Sequence, residues 1–253
     1  MKLMPLITRL DKLLQALSSL RLARALLMYR VLAGAEHRHV FCRELATIVD
    51  IGANRGQFAL AARQWARHAR VIAFEPLPAP ARVFRLVFVD DALTVLHQCA
   101  VGPKEEDAVI HVSQRDDSSS LLPISKLQAT MFPNTEEKER QTVRVCPLDR
   151  LINRADLQSP ALLKLDVQGF ELEALGGCKS LLPCFDQVYV ECSFVELYEG
   201  QALAHQVIDF LQQEGFVLGG VYNMCYDRNG KAIQADFLFK RSAEKSDLVP
   251  CAS

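Results

Sequence analysis

The sequence predicts an α/β protein: a mostly parallel sheet, helices on both faces, and an antiparallel pair at the C-terminal end. Three observations lead there. Short aliphatic and β-branched runs alternate with stretches of helical periodicity along residues 46–240. Alternating strands and helices imply parallel pairing with both faces covered. The last two strand-like runs flank the turn Asp227-Arg228-Asn229-Gly230, which pairs them antiparallel.

The elements follow in order. Residues 3–32 read as a helix, because Leu3, Leu6, Leu10, Leu13, Leu14, Leu17 and Leu20 recur at i, i+3, i+4 spacing. Thr47–Ile51 is the first strand, and helical periodicity runs over about 54–68. Arg70–Phe74 is the second strand, with a helix at 78–89 and a third strand at Leu93–Gln98. Val109–Ser113 and Thr142–Val145 are weaker strands around a polar segment, 114–140, that contains Ser118-Ser119-Ser120. Leu162–Asp166 reads as a buried strand, followed by a helix at 169–176, the strand Val188–Cys192, and a helix at 201–214. Phe216–Tyr222 and Ala235–Lys240 complete the sheet. The organisation read from this is a basic helical segment, 1–40, one domain, 41–241, and a polar tail, 242–253. The insert 107–146 is too short for a core of its own.

Composition excludes several classes. The chain has 253 residues and a net charge of −1, ordinary for a globular domain and lacking the basic excess of a nucleic-acid binder. Its longest uncharged runs, Ala92–Pro103 and Gly215–Tyr226, have 12 residues each, short of a transmembrane helix. Eight cysteines with no CxxC and no zinc spacing read as small buried hydrophobes of a reducing, cytoplasmic compartment. The one sharp asymmetry is residues 1–40, where seven Lys/Arg face two acids, leaving the remainder at −6.

Three constellations carry chemistry. In Val49-Asp50-Ile51-Gly52-Ala53-Asn54-Arg55-Gly56-Gln57-Phe58 a strand ends in an acid, a glycine turn follows, and a helix begins. Ligands of open α/β sheets bind beyond strand carboxyl ends, and Gly52 and Gly56 let backbone approach them. The spacing is GxxxG rather than the GxGxxG of dinucleotide sites, and Asp50 suits a cationic ligand. Glu75 ends the second strand 25 residues later, where a carboxylate can accept two ribose hydroxyls. In Leu163-Lys164-Leu165-Asp166-Val167-Gln168-Gly169-Phe170-Glu171, Asp166 ends a central strand and aims at the cleft. Glu171 falls in the first turn of a helix, where its charge also has a purely supporting role.

These blocks resemble the FkbM-family S-adenosylmethionine-dependent methyltransferases. The likeness rests on VDIGANRGQF (49–58), AFEP (73–76), CAVG (99–102), SSSLL (118–122), PLDRL (147–151), KLDVQGFELEALGG (164–177) and VYVE (188–191). The resemblance implies a seven-strand methyltransferase sheet with an antiparallel final hairpin. It implies methyl transfer to an oxygen, commonly a hydroxyl of a sugar, glycan or polyketide-type natural product. Carried onto this chain, Asp50, Gly52, Asn54 and Gln57 would line the methionine end of S-adenosylmethionine. Glu75 and Pro76 would hold the ribose, Cys99 and Ala100 would flank the adenine, and Ser119 would lie in a loop closing the site. Asp166 would sit beside the sulfonium and the incoming hydroxyl. Cys178 departs from the family, which more often has Ala there, and residues 1–40 lie outside the likeness.

An alcohol needs a proton acceptor to become a good nucleophile. Asp166 is the first choice, Glu191 the second and His205 the third; the other histidines show no partner pattern. No metal is assigned, although Asp166, Glu171 and Glu191 are oxygen donors of the kind divalent cations prefer. The alternatives are an NAD-dependent oxidoreductase on a Rossmann-like fold, weakened by the missing GxGxxG, and a catalytically idle binding module. Residues 1–40 have two readings: a helix packing its leucines on the domain or on a second copy as a homodimer, or a helix on an anionic membrane or partner protein. Flotation with anionic liposomes, with and without residues 1–40, separates them. Membrane docking predicts that the full chain floats at low salt and the shortened one does not; full-length protein that stays below excludes it.

Overall fold

The computed structural model describes residues 19–41 and 44–242. Six helices form there: α1 (Leu20–Tyr29), α2 (Gln57–Trp65), α3 (Pro78–Val87), α4 (Lys126–Met131), α5 (Glu171–Cys178) and α6 (Ala204–Gln213). The strands are β1 (Thr47–Ile51), β2 (Arg70–Phe74), β3 (Thr94–His97), β4 (Ala100–Val101), β5 (Glu106–Ser113), β6 (Glu137–Cys146), β7 (Ala161–Leu165), β8 (Gln187–Ser193), β9 (Phe216–Tyr226) and β10 (Ala232–Arg241). Seven of them make one sheet in the order β3-β2-β1-β7-β8-β10-β9. β1 pairs in parallel with β2 and β7, and β7 pairs in parallel with β8. β10 enters between β8 and β9, antiparallel to both. The expected mostly parallel sheet with antiparallel C-terminal strands is what forms.

Strand alternation sorts the side chains into two cores. Val49, Ile51, Leu163, Leu165, Val188 and Val190 face α5 and α6. Ile48, Leu162, Tyr189 and Leu238 face the other way, toward α1, α2 and α3. The even-numbered positions of β1 and β7 therefore belong to the second face, so Asp50 and Lys164 lie on it.

Three differences from the sequence reading have physical causes. First, β5 and β6 are longer than expected and, with β4, form a separate three-stranded sheet in the order β4-β6-β5. Their extra residues, such as Glu106, Asp107, Glu137 and Glu139, pair across the ladder while their side chains face water, so charge masked the strands. This sheet has a small apolar cluster, Ile110, Val112 and Val143, completed by Leu77 from the main body. Second, α4 lies inside the segment read as polar and irregular; Ser125 caps it by accepting from the Gln128 N–H at 3.2 Å. Third, the N-terminal helix ends at Tyr29, where Arg30 takes a left-handed φ of 56°. A 3-10 turn, Ala35–Val40, follows and packs on α2, with the Gly34 N–H donating to the Gln57 carbonyl at 3.0 Å.

Of the expected leucine stripe, residues 3–17 lie outside the described residues, as does the tail from 243. In α1 itself Leu22 and Ala25 are buried against the second core, while Leu20, Leu27 and Met28 are exposed. Arg21 and Arg24 pair with Asp91 and Asp90 at 2.7 and 2.9 Å, so two basic residues of this segment are engaged by the domain. β9 is an edge strand without a charged residue, and Val217, Leu218 and Val221 on it are exposed.

Arg63 and Asp91 knit α2 to β3. The buried guanidinium of Arg63 reaches Asp91 at 2.6 Å and donates to the Ala69 and Leu93 carbonyls and the Thr94 hydroxyl. Arg63→Met leaves these acceptors without their donor, and we expect a loss of about 2–3 kcal/mol in urea unfolding. A change below about 0.5 kcal/mol would show that water replaces the guanidinium at no cost.

Candidate active site

The site begins where β1 stops. Gly52 has φ +79°, and a Cβ there would overlap the Asp166 carbonyl, so only glycine lets the β1 turn close on the β7 turn. Asn54, also left-handed at φ 46°, presents its N–H to Glu75 Oε2 at 2.9 Å. The other Glu75 oxygen accepts from the Leu77 N–H at 2.8 Å. Each oxygen thus keeps a lone pair for a further donor. Burial pushes the Glu75 carboxyl up to about 7, with the two backbone donors opposing that rise.

After β7 the chain makes a second tight turn. Gln168 takes φ 56° and Gly169 φ 97°, and a Cβ on Gly169 would come within 2.9 Å of the Tyr198 ring. Glu171 accepts the N–H groups of Val167 and Gly169 at 3.1 and 3.0 Å, so its carboxylate braces this turn rather than facing a ligand. Burial raises it to about 7 as well. The turn aims Gln168 between two carboxylates: its Nε2 donates to Asp166 Oδ1 at 2.7 Å and to Glu191 Oε2 at 3.1 Å. Tyr198 fixes the amide by donating to Gln168 Oε1 at 2.7 Å. Gln234, from β10, donates to the other Glu191 oxygen at 2.7 Å. Burial, with Asp166 and Asp236 nearby, pushes the Glu191 carboxyl well above its usual range.

A cavity of about 360 Å³ joins these groups. Gly52, Asn54, Gln57, Glu75, Pro76, Cys99, Ala100, Ser119, Asp166 and Glu191 all line it. Ser119 stands in the loop over the cavity, its Oγ accepting from the Ser113 N–H at 3.1 Å. Asp50 is placed differently from the expectation. It is 0% exposed and forms no part of the wall, because the cation it faces is the chain's own Lys164, at 3.0 Å. Lys164 Nζ also donates to the Gly52 carbonyl at 3.0 Å and lies 3.9 Å from Asp166. Burial pulls its pKa down, but Asp50 and Asp166 together outweigh that and hold it above the ordinary value. His205 is exposed on α6, away from the cavity. Among the described residues no group of three His, Cys, Asp or Glu is arranged to hold a metal ion.

Sequence reasoning did not single out Lys164, Gln168, Gln234 or His37 for the site. Lys164 had a signal, a lone charge inside the apolar run Ala161–Leu165. His37 lines the cavity from the 3-10 turn, so the wall crosses the boundary expected at residue 40.

The strand order, with a cavity over the ends of β1, β2 and β7, is that of the α/β methyltransferase fold. The model of the methyltransferase FkbM domain matches residues 50–218, and the chain belongs to that family of S-adenosylmethionine-dependent methyltransferases. Among its relatives is 2-O-methyltransferase NoeI of Sinorhizobium fredii, 31% identical over 173 residues, which span 65% of this chain and 70% of that protein. Methyltransferase 1 of Beauveria bassiana is 27% identical over 164 residues, covering 56% and 65% of the two chains. The crystal structure of methyltransferase FkbM from Methylobacillus flagellatus superposes with a TM-score of 0.49 at 16% identity, over 84% of this chain. This chain spans about half of that longer one, 47%. Family membership removes the oxidoreductase alternative.

The cavity fits the cofactor. Its glycine cradle has no room for a side chain, Glu75 keeps two lone pairs, and acidic groups surround the place for a cation. Three outcomes follow. Glu75→Ala should weaken S-adenosylmethionine binding by about 1.5–3 kcal/mol in calorimetry, and wild-type affinity should rise with pH through 7 as Glu75 ionises, a dependence the variant lacks. Lys164→Met strands Asp50 and should cost about 3–5 kcal/mol in urea unfolding, while Lys164→Met with Asp50→Leu recovers most of it. Glu171, raised from 4.5 to about 7, binds a proton in the native state that the unfolded chain releases. Its contribution is therefore full below pH 4.5 and lost as pH rises to 7, and Glu171→Gln should flatten the fall of the thermal midpoint across that window.

Proposed function

We propose that the protein methylates a hydroxyl oxygen of a sugar, glycan or related hydroxyl-rich compound. The observation that carries this is the carboxylate pair Asp166 and Glu191, bridged by one amide, on the cavity wall beside the cofactor residues. A hydroxyl there finds a hydrogen-bond acceptor where an alcohol nucleophile needs one. The likeness to a protein named as a 2-O-methyltransferase supports oxygen as the atom methylated.

S-adenosylmethionine supplies an electrophilic methyl group on a sulfonium. Gly52, Asn54, Gln57 and Glu75, which line the cavity, would hold it, and the buried Cys99 and Ala100 would provide an apolar end for its purine. Asp166 takes the hydroxyl proton as the oxygen commits to bonding. Lys164, 3.9 Å away, steadies the charge on Asp166 before the transfer. Gln168 holds Asp166 and Glu191 in fixed relation, and Glu191 orients the acceptor. The Tyr198 hydroxyl, committed to Gln168, lies 3.2 Å from the Ser118 carbonyl, so the loop over the cavity abuts this cluster.

Asp166→Asn should keep the fold and cofactor affinity and lower turnover about 10²-fold or more. The measurement is transfer of labelled methyl to a panel of glycosides and cell extracts. Full turnover by Asp166→Asn with loss in Glu191→Gln would move the proton-accepting role to Glu191. Transfer by neither wild type nor variants to any hydroxyl compound would favour a binding module.

A further inference from the structure

One polar surface extends beyond the groups used so far. In register across β1, β7 and β8 stand Asp50, Lys164 and Tyr189, and Asp236 of β10 stands opposite Glu191. Over this face lies the 3-10 turn Ala35–Val40 with His37, whose ring packs edge-on against Phe58 and Tyr189 at 5.4 and 5.6 Å. Tyr189 Oη donates to Asp236 Oδ2 at 2.8 Å, and Asn223 Nδ2 donates to the same oxygen at 2.7 Å. His37 Nδ1 lies 3.0 Å from Tyr189 Oη.

This geometry fixes a tautomer. The one hydroxyl hydrogen of Tyr189 is committed to a carboxylate, so its oxygen is an acceptor toward His37. Nδ1 must then carry the ring proton, and Nε2 keeps its lone pair. Burial lowers the His37 pKa, chiefly against the pull of Asp236, which keeps the ring neutral. His37 and Gln234 both line the cavity, next to Glu191. The cations of the wall are already neutralised: Lys164 by Asp50, and Arg115 by Asp117 at 2.8 Å. A carboxylate or phosphate on the acceptor would meet Asp166 and Glu191 with no unpaired cation among the described wall residues, whereas hydroxyls would meet acceptors and amides. His37, Asn223, Gln234 and Asp236 all lie outside residues 50–218 matched by the family model.

We propose that His37 is an acceptor-binding residue, a neutral imidazole whose Nε2 accepts a hydrogen bond from a substrate hydroxyl, and that the wall it forms with Gln234 selects uncharged over anionic acceptors. The selection rests on the hydroxyl reading above; the tautomer does not.

The test uses the full chain labelled with ¹⁵N-histidine, the His37 signals being assigned by their loss in His37→Gln. Long-range ¹H–¹⁵N spectra at pH 7 should show a neutral ring protonated at Nδ1, and Tyr189→Phe should abolish that preference. A ring protonated at Nε2, or an imidazolium, overturns the proposal. In calorimetry His37→Gln should bind S-adenosylmethionine within twofold of wild type; a tenfold loss would make His37 a cofactor residue and overturn it. Methyl glycosides of neutral hexoses and deoxyhexoses should be methylated with kcat/KM at least tenfold above the matching uronates. His37→Gln should raise KM for the neutral glycosides about tenfold. Uronates methylated as well as their neutral counterparts overturn the selection. If no glycoside is methylated, the sugar reading fails, while the tautomer and the cofactor affinity still decide the role of His37.

Discussion

The buried ion pair between Asp50 and Lys164 is the interaction on which the site depends. It crosses from β1 to β7 at the centre of the sheet, with both side chains nearly inaccessible to water. Removing two charges from water is costly, and the lysine offsets part of that cost by also facing Asp166 and holding the Gly52 carbonyl. That third contact pins the first turn of the site to the strand beside it. The turn after β1 and the turn after β7 are therefore one unit, with Gly52 pressed against the Asp166 carbonyl. Asn54 and Gln168, which follow these two turns, reach the cavity from this junction.

The junction also sets the electrostatics. One lysine sits among Asp50, Asp166 and, further along the same face, Glu191 and Asp236. Burial first, and then this acidic excess, raises the cost of ionising Glu191. A sulfonium held in this cavity would bring a positive charge into the surplus and would lose it with its methyl group. A field that favours the charged cofactor would hold its uncharged-sulfur product less strongly, which would favour exchange after each turnover.

Much of this was legible in the sequence, and the reason is locality. The glycine turn after Val49-Asp50-Ile51, Glu75 at the end of β2 and Asp166 after β7 each depend on a strand end and its next few residues, so short motifs reveal them. What stayed hidden depends on register between distant strands. Lys164 becomes the partner of Asp50 only because β1 and β7 align those positions. His37 meets Tyr189 152 positions away, and Gln234 meets Glu191 43 positions away. No local pattern encodes such distances. The second sheet was hidden for the opposite reason: β5 and β6 pair through their backbones while showing charged side chains to water, so hydropathy alternation under-read them.

The place of β10 has a consequence for how the protein is made. Chains emerge N-terminus first, and β8 and β9 are both synthesised before the strand that separates them. Until residues 232–241 appear, β8 presents an open edge and β9 has no partner in the sheet. β9 is also uncharged along its length, which leaves the incomplete nascent chain with a sticky ribbon and little to repel a neighbour. The last of the described strands ends this vulnerable interval and, in the same event, delivers Gln234 to the cavity and Asp236 to Tyr189. Completion of the sheet and of this side of the cavity wall thus coincide in the biosynthesis of the chain.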